Sequence, residues 1–163
     1  MIFFDMDGVI ADWDNEASFE DTFRPRYFLD RTVAWKVREL VNLLIEKGYP
    51  VAFLSAVYME GTARDDKDTW LNRLGFKDVP KFFVPYGDTK AHYVQASPKN
   101  ILIDDFTKNL IEWEEAGFTG IKYYNQFNGT RHQWNGYSIS HKMSVDKMAT
   151  IVMAVADSLE TKN

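Results

Sequence analysis

Asp5-Met6-Asp7-Gly8 follows the apolar run Ile2-Phe3-Phe4 and puts two carboxylates two residues apart where a strand would end. A chain leaving a strand can turn both groups towards one ligand, and Gly8 both permits the turn and lets backbone approach that ligand. An aspartate can attack phosphorus and divide hydrolysis into two easier steps through an aspartyl-phosphate. A second carboxylate beside it can protonate the leaving oxygen and then take a proton from water. Asp-x-Asp on its own also serves turns and helix caps. A calcium loop of the EF-hand type does not fit, because that loop needs its glycine at position six and Gly8 comes fourth.

Further polar groups follow other apolar runs. Val51–Leu54 leads into Ser55 and Ala56, a hydroxyl and amides that can hold a phosphate oxygen. Lys90 comes after Phe82–Val84, at the expected start of a helix, where it can neutralise a phosphate and a nucleophile together. Ile101–Ile103 leads into Asp104-Asp105. Paired carboxylates at an apolar strand end are costly without a cation, and hard oxygen donors select magnesium. Singly, Ser55 reads as a helix cap, Lys90 as a solvated charge and Asp104 as a turn residue. Together, four such groups after four different strands belong to one sheet edge.

The elements that must position them alternate as βαβ units. The runs Ile2–Phe4, Val51–Leu54, Phe82–Val84, Ile101–Ile103 and Ile121–Tyr124 are short, as in a parallel sheet covered by helices. Val33, Val37, Leu40, Val41 and Leu44 mark a first helix, stopped by Gly48 and Pro50. Thr62 with Asp65 resembles a capping box for a helix carrying Ala63, Trp70, Leu71 and Leu74. Thr107 and Ser144 are placed to cap two more. The pattern predicts one domain over residues 1–163: an α/β three-layer sandwich with a mostly parallel five-stranded sheet. Residues 13–30 break the alternation, with Trp13, Phe19, Phe23, Tyr27 and Phe28 among charges and Pro25 against a long helix. They form a small cap insertion overhanging the carboxyl end of the sheet, where open α/β folds bind ligands.

These motifs resemble those of the haloacid dehalogenase (HAD) superfamily of phosphotransferases. Asp5-Met6-Asp7-Gly8-Val9 is similar to its first motif, Leu54-Ser55 to its second, Lys90 to its third and Ile103-Asp104-Asp105 to its fourth. The resemblance implies Asp5 as nucleophile and Asp7 as general acid and base. It also implies Mg²⁺ held by Asp5, the Asp7 backbone carbonyl and Asp104, with Asp105 supporting the ligands, and a phosphoryl group gripped by Ser55, Ala56 and Lys90. The run Asp5 to Asp12, Gly87-Asp88-Thr89-Lys90, Ile103 to Phe106 and Asn109 to Trp113 further resemble the 5'-nucleotidase/deoxyribonucleotidase branch. That implies (deoxy)nucleoside monophosphates as substrates, although the insertion is shorter than that branch's helical cap.

Composition sets the outer limits. The net charge of -5 argues against general nucleic-acid binding, which relies on Lys and Arg to displace counterions, but not against a small phosphorylated ligand beside a cation. With no cysteine there are no disulfides or thiolate metal sites, and no apolar run approaches the ~20 residues of a membrane span. A cytoplasmic protein is the expectation, with an oligomer allowed. Phe19 and Phe23 are candidates to stack on a base or to pack the insertion onto the core. His92, His132 and His141 lack ligand spacing and read as structural or exposed. Asn125 opens a long loop to Tyr137 and is placed to touch either the metal shell or the loop itself. Three rivals stay open: a phosphatase for sugar phosphates or nucleic-acid ends, a mutase or phosphonatase, and a non-catalytic phosphate-binding module.

Overall fold

The computed structural model describes residues 1–129 and 134–161. Among the described residues six strands form a single sheet in the order β3-β2-β1-β4-β5-β6. They are β1 (Ile2–Phe4), β2 (Val51–Val57), β3 (Lys81–Pro85), β4 (Ile101–Asp104), β5 (Thr119–Tyr124) and β6 (Tyr137–Ser140). Every pairing is parallel. The expected five-stranded, mostly parallel sheet is therefore corrected to six strands, all parallel. The added strand, Tyr-Ser-Ile-Ser, lies at the sheet edge and buries only Ile139 fully. One buried residue in four leaves no apolar run to read, so β6 looks like the tail of a polar loop.

Side chains on successive strand residues point to opposite faces, and the core divides accordingly. Ile2, Phe4, Val51, Phe53, Ile101 and Ile103 face a cluster completed by helices α1 (Trp35–Glu46), α2 (Ala63–Arg73) and α4 (Val145–Glu160). Phe3, Ala52, Leu54 and Leu102 face the other side, against Leu110 and Trp113 of α3 (Thr107–Glu115). The expected helices all form. Ser144 caps α4 by accepting from the Lys147 amide at 3.3 Å. The other two caps differ. Thr62 Oγ1 donates to Asp66 Oδ2 at 2.8 Å instead of closing a box with Asp65. Thr107 is the first residue of α3, and the Phe106 amide before it is held by Asp104 Oδ1 at 2.8 Å.

Residues 13–30 carry two one-turn helices, Glu20–Phe23 and Tyr27–Asp30. Backbone bonds close their base: Asp12 N–H donates to the Thr32 carbonyl at 2.8 Å, and Ala34 N–H to the Ile10 carbonyl at 2.9 Å. The second half is fastened to α2. Arg26, the one non-glycine residue with positive φ (70°) among the described residues, donates its amide to Asp66 Oδ2 at 3.0 Å. Trp70 Nε1 donates to the Arg31 carbonyl at 3.0 Å. No helix among the described residues is long and apolar enough to cross a membrane.

Candidate active site

Strand order reverses between β1 and β4, which leave the sheet on either side of the point where connections diverge. Open α/β sheets bind ligands in the crevice there. Asp5 directly follows β1, and Asp104 is the last residue of β4. The β1–β4 ladder runs to Phe4 opposite Ile103, and the Asp5 amide extends it by donating to the Ile103 carbonyl at 2.9 Å. Two carboxylates thus leave adjacent strands side by side. Lys90, at the start of a one-turn helix after β3, reaches across to both: its Nζ lies 2.8 Å from Asp5 Oδ1 and 2.7 Å from Asp104 Oδ2. Asn109 Nδ2 supplies a further donor to Asp104 Oδ2 at 2.9 Å.

Asp5, Asp104 and Asp105 each offer a ligand oxygen within 4.8 Å of the others. One buried lysine cannot balance three such groups, and an all-oxygen donor set suits a hard divalent cation. The residues fit a metal. Asp105, expected only to support the ligands, contributes its own carboxylate to the cluster. Burial drives the Asp5 carboxyl up to about 6 against the pull of Lys90, with Asp104 and Asp7 adding to the rise. Burial, then the charges of Asp104 and Asp5, raises Asp105 well above the usual carboxylate range. Burial favours neutral Lys90, but Asp104 and Asp5 outweigh it and its ammonium is held more firmly than usual. A divalent cation would relieve the carboxylates of this cost.

Gly8 makes the approach possible. Its φ is +75°, and a Cβ added there would stand 2.2 Å from Asp105 Oδ2. The Gly8 turn and the Asp105 carboxylate are therefore packed together, and a larger residue at Gly8 would displace that carboxylate.

Ser55 and Ala56 lie inside β2, not after it, because the strand extends to Val57. Both meet a group that the sequence reading missed. Lys67, on α2 and only 1% exposed, donates to Ser55 Oγ at 3.0 Å and to the Ala56 carbonyl at 2.8 Å, and it pairs with the Asp7 carboxylate. Its ammonium also sits 4.4 Å from the centre of the Phe28 ring. A signal existed. Ala63, Lys67, Trp70, Leu71 and Leu74 recur at the spacing of one helix face, and a lysine within such an apolar stripe must find buried partners.

Phe19 and Phe23 are 52% and 53% exposed. They meet each other edge to face at 5.2 Å and pack on Tyr58, which follows β2, at 5.5 and 4.5 Å. Tyr58 in turn stacks on Tyr86 at 4.7 Å. The insertion thus rests on the segments after β2 and β3 while leaving half of each phenyl ring open. Elsewhere in it, a polar hollow of about 350 Å³ is lined by Arg24, Arg26, Tyr27 and Arg31 among others. Of the histidines, His141 Nδ1 lies 2.9 Å from the Tyr124 carbonyl and His92 is exposed, while His132 lies outside the described residues.

No protein-family model and no curated protein sequence matches the chain. Solved structures do. A Mesorhizobium loti protein described as a HAD-like phosphatase superposes with a TM-score of 0.60 at 13% identity, over 97% of this chain and 86% of its own. The D,D-heptose 1,7-bisphosphate phosphatase of Burkholderia thailandensis superposes with a TM-score of 0.63 at 13% identity, over 94% and 97%. The chain shares its fold with both structures. At such identity the likeness concerns the fold alone, so chemistry must be argued from the side chains. In this chain the strand order brings Asp5, Lys90, Asp104 and Asp105 together, and Lys67 ties Ser55 to Asp7 beside them.

Proposed function

We propose that the chain is a magnesium-dependent phosphomonoesterase acting on (deoxy)nucleoside monophosphates through an aspartyl-phosphate at Asp5. The observation that carries this reading is the meeting of Asp5, Asp104 and Asp105 at the switch point of the sheet, with Lys90 bonded to the first two. Asp5 and Asp104, joined by the Asp7 backbone carbonyl and by Asp105, would hold the cation. When bound, magnesium supplies positive charge to the phosphoryl oxygens.

The chain's own groups do the rest. An Asp5 carboxylate oxygen attacks phosphorus in line, forming the Asp5–phosphorus bond as the bond to the leaving alcohol breaks. Lys90 holds the nucleophile in place. Asp7 gives its proton to the departing oxygen, then takes one from the water that attacks the aspartyl-phosphate. That second attack frees inorganic phosphate and restores Asp5. Ser55 Oγ and the backbone of Ser55 and Ala56 receive the phosphoryl oxygens, with the ammonium of Lys67 beside them. The open faces of Phe19 and Phe23 are the surfaces offered to a base.

The polar hollow in the insertion, lined by Asp14, Asp30 and three arginines, favours a second reading, in which the substrate is a sugar phosphate and the leaving group its sugar alcohol. One panel tests both. Phosphate release is measured from mononucleotides, sugar phosphates, 3'- and 5'-phosphorylated oligonucleotides and an aryl phosphate, with and without magnesium. Preference for mononucleotides supports the first reading and preference for sugar phosphates the second. No magnesium-dependent release from any ester defeats both.

A further inference from the structure

Beyond Phe4 and Ile103 the ladder joining β1 to β4 ends, yet the site depends on the spacing of the residues just past it. Lys90 bridges Asp5 and Asp104 there, and a second side chain ties the turns beyond them together. Asn125, the residue after β5, donates from Nδ2 to the Gly8 carbonyl at 2.9 Å and to Asp105 Oδ2 at 3.0 Å. Its other end accepts: Oδ1 takes the amides of Phe127 at 2.9 Å and Asn128 at 2.8 Å. Two N–H donors at the oxygen and two oxygen acceptors at the nitrogen fix the orientation of the amide.

The Asp105 backbone is pinned separately. Its carbonyl accepts from Lys122 Nζ and from Asn128 Nδ2, the latter at 3.1 Å. With the main chain so held, Asn125 governs the carboxylate. Left alone, three carboxylates with ligand atoms within 4.8 Å would repel one another and spread. The donor on Asp105 opposes that spread, and the same amide keeps the Gly8 turn pressed against it.

We propose that Asn125 is a positioning residue of the cation site: it clamps Asp105 and the Gly8 turn at the separation that lets the carboxylates share one ion. This rests on the metal-dependent reading above. Outer partners that orient metal-binding carboxylates are typically worth 10- to 100-fold in affinity.

The test is calorimetric titration of Mg²⁺ into substrate-free protein, with melting temperatures recorded alongside. Gln126→Ala is the comparison, because Gln126 lies exposed in the same loop and bonds neither Gly8, Asp105 nor Asn125. Asn125→Ala should weaken Mg²⁺ binding about 10- to 100-fold, while Gln126→Ala stays within about threefold of the parent. Raised magnesium should restore most of kcat in Asn125→Ala with KM for substrate unchanged. If Asn125→Ala does not fold, Asn125→Ser provides the same comparison. Parental Mg²⁺ affinity in the Asn125 variant, or an equal loss in both variants, overturns the clamp. Absence of Mg²⁺ binding by the parent protein overturns the metal-dependent reading itself.

Discussion

Replacing Lys67 by methionine separates packing from charge at the centre of the site. Methionine fills much of the buried stem's volume but offers no donor. The substitution strips partners from Ser55 Oγ, the Ala56 carbonyl and the Asp7 carboxylate. Each buried polar group left unpaired costs ~1–3 kcal/mol. Against that, the ammonium no longer has to be desolvated, and Asp7, whose side chain is 31% exposed, can turn to water. The net loss of stability should therefore stay near ~2 kcal/mol, which leaves a folded protein to assay. Activity should suffer more. Loss of one preorganised donor from a developing charge typically lowers kcat ~10²–10³-fold, or ~2.7–4 kcal/mol. Phosphate release from an aryl and from an alkyl phosphomonoester, at saturating magnesium, reads the effect. Both esters should lose activity, because both present the same phosphoryl oxygens to Lys67. Turnover of both esters within about threefold of the parent would refute the assignment, since even the weakest role in charge stabilisation exceeds that.

Other perturbations probe other parts of the site. Asp5→Asn should abolish turnover with little change in melting temperature, and full activity would exclude a covalent role. Gly8→Ala should lower the melting temperature and weaken metal binding, because its Cβ would meet Asp105 Oδ2 at 2.2 Å with φ already at +75°; a protein with parental melting and metal binding would contradict that contact. Removal of divalent ions by a chelator should stop phosphate release, and magnesium should restore it; activity that survives chelation would remove the cation from the account. Phe19→Ala and Phe23→Ala should each raise KM for a mononucleotide about tenfold, matching ~1.4 kcal/mol of lost stacking, and leave a small alkyl phosphate unaffected.

The parts of the site most legible in the sequence were those attached to apolar strands. Ile2–Phe4 and Ile101–Ile103 are buried on both faces, so their ends, and hence Asp5 and Asp104, could be placed from the run of residue types alone. Lys90 followed from its distance beyond Phe82–Val84. Lys67 escaped because it enters from the face of a helix, and its partners Asp7, Ser55 and Ala56 are remote in sequence. Asn125 is similar: its bond to Gly8 spans 117 positions, and nothing local marks an asparagine after a strand as a clamp. β6 was hidden by its polar edge, where a single Ile139 carries the burial. The insertion was recognisable by its aromatic and charged mixture, but its two halves differ. Arg26 and Arg31 are bonded to α2, whereas Phe19 and Phe23 meet the core through ring contacts alone. The second half is therefore held to α2, while the first leaves its two phenyl rings half open.

The central claim is that the carboxylate of Asp5 becomes phosphorylated. The direct measurement is acid quenching of the protein during turnover of a labelled phosphomonoester with magnesium, followed by mass spectrometry of the peptides. The account predicts a phosphoryl adduct on the peptide containing Asp5, mapped to that residue and absent from Asp5→Asn. Rapid phosphate release with no adduct on any carboxylate, or an adduct at Asp7 or Asp104 instead, would contradict it.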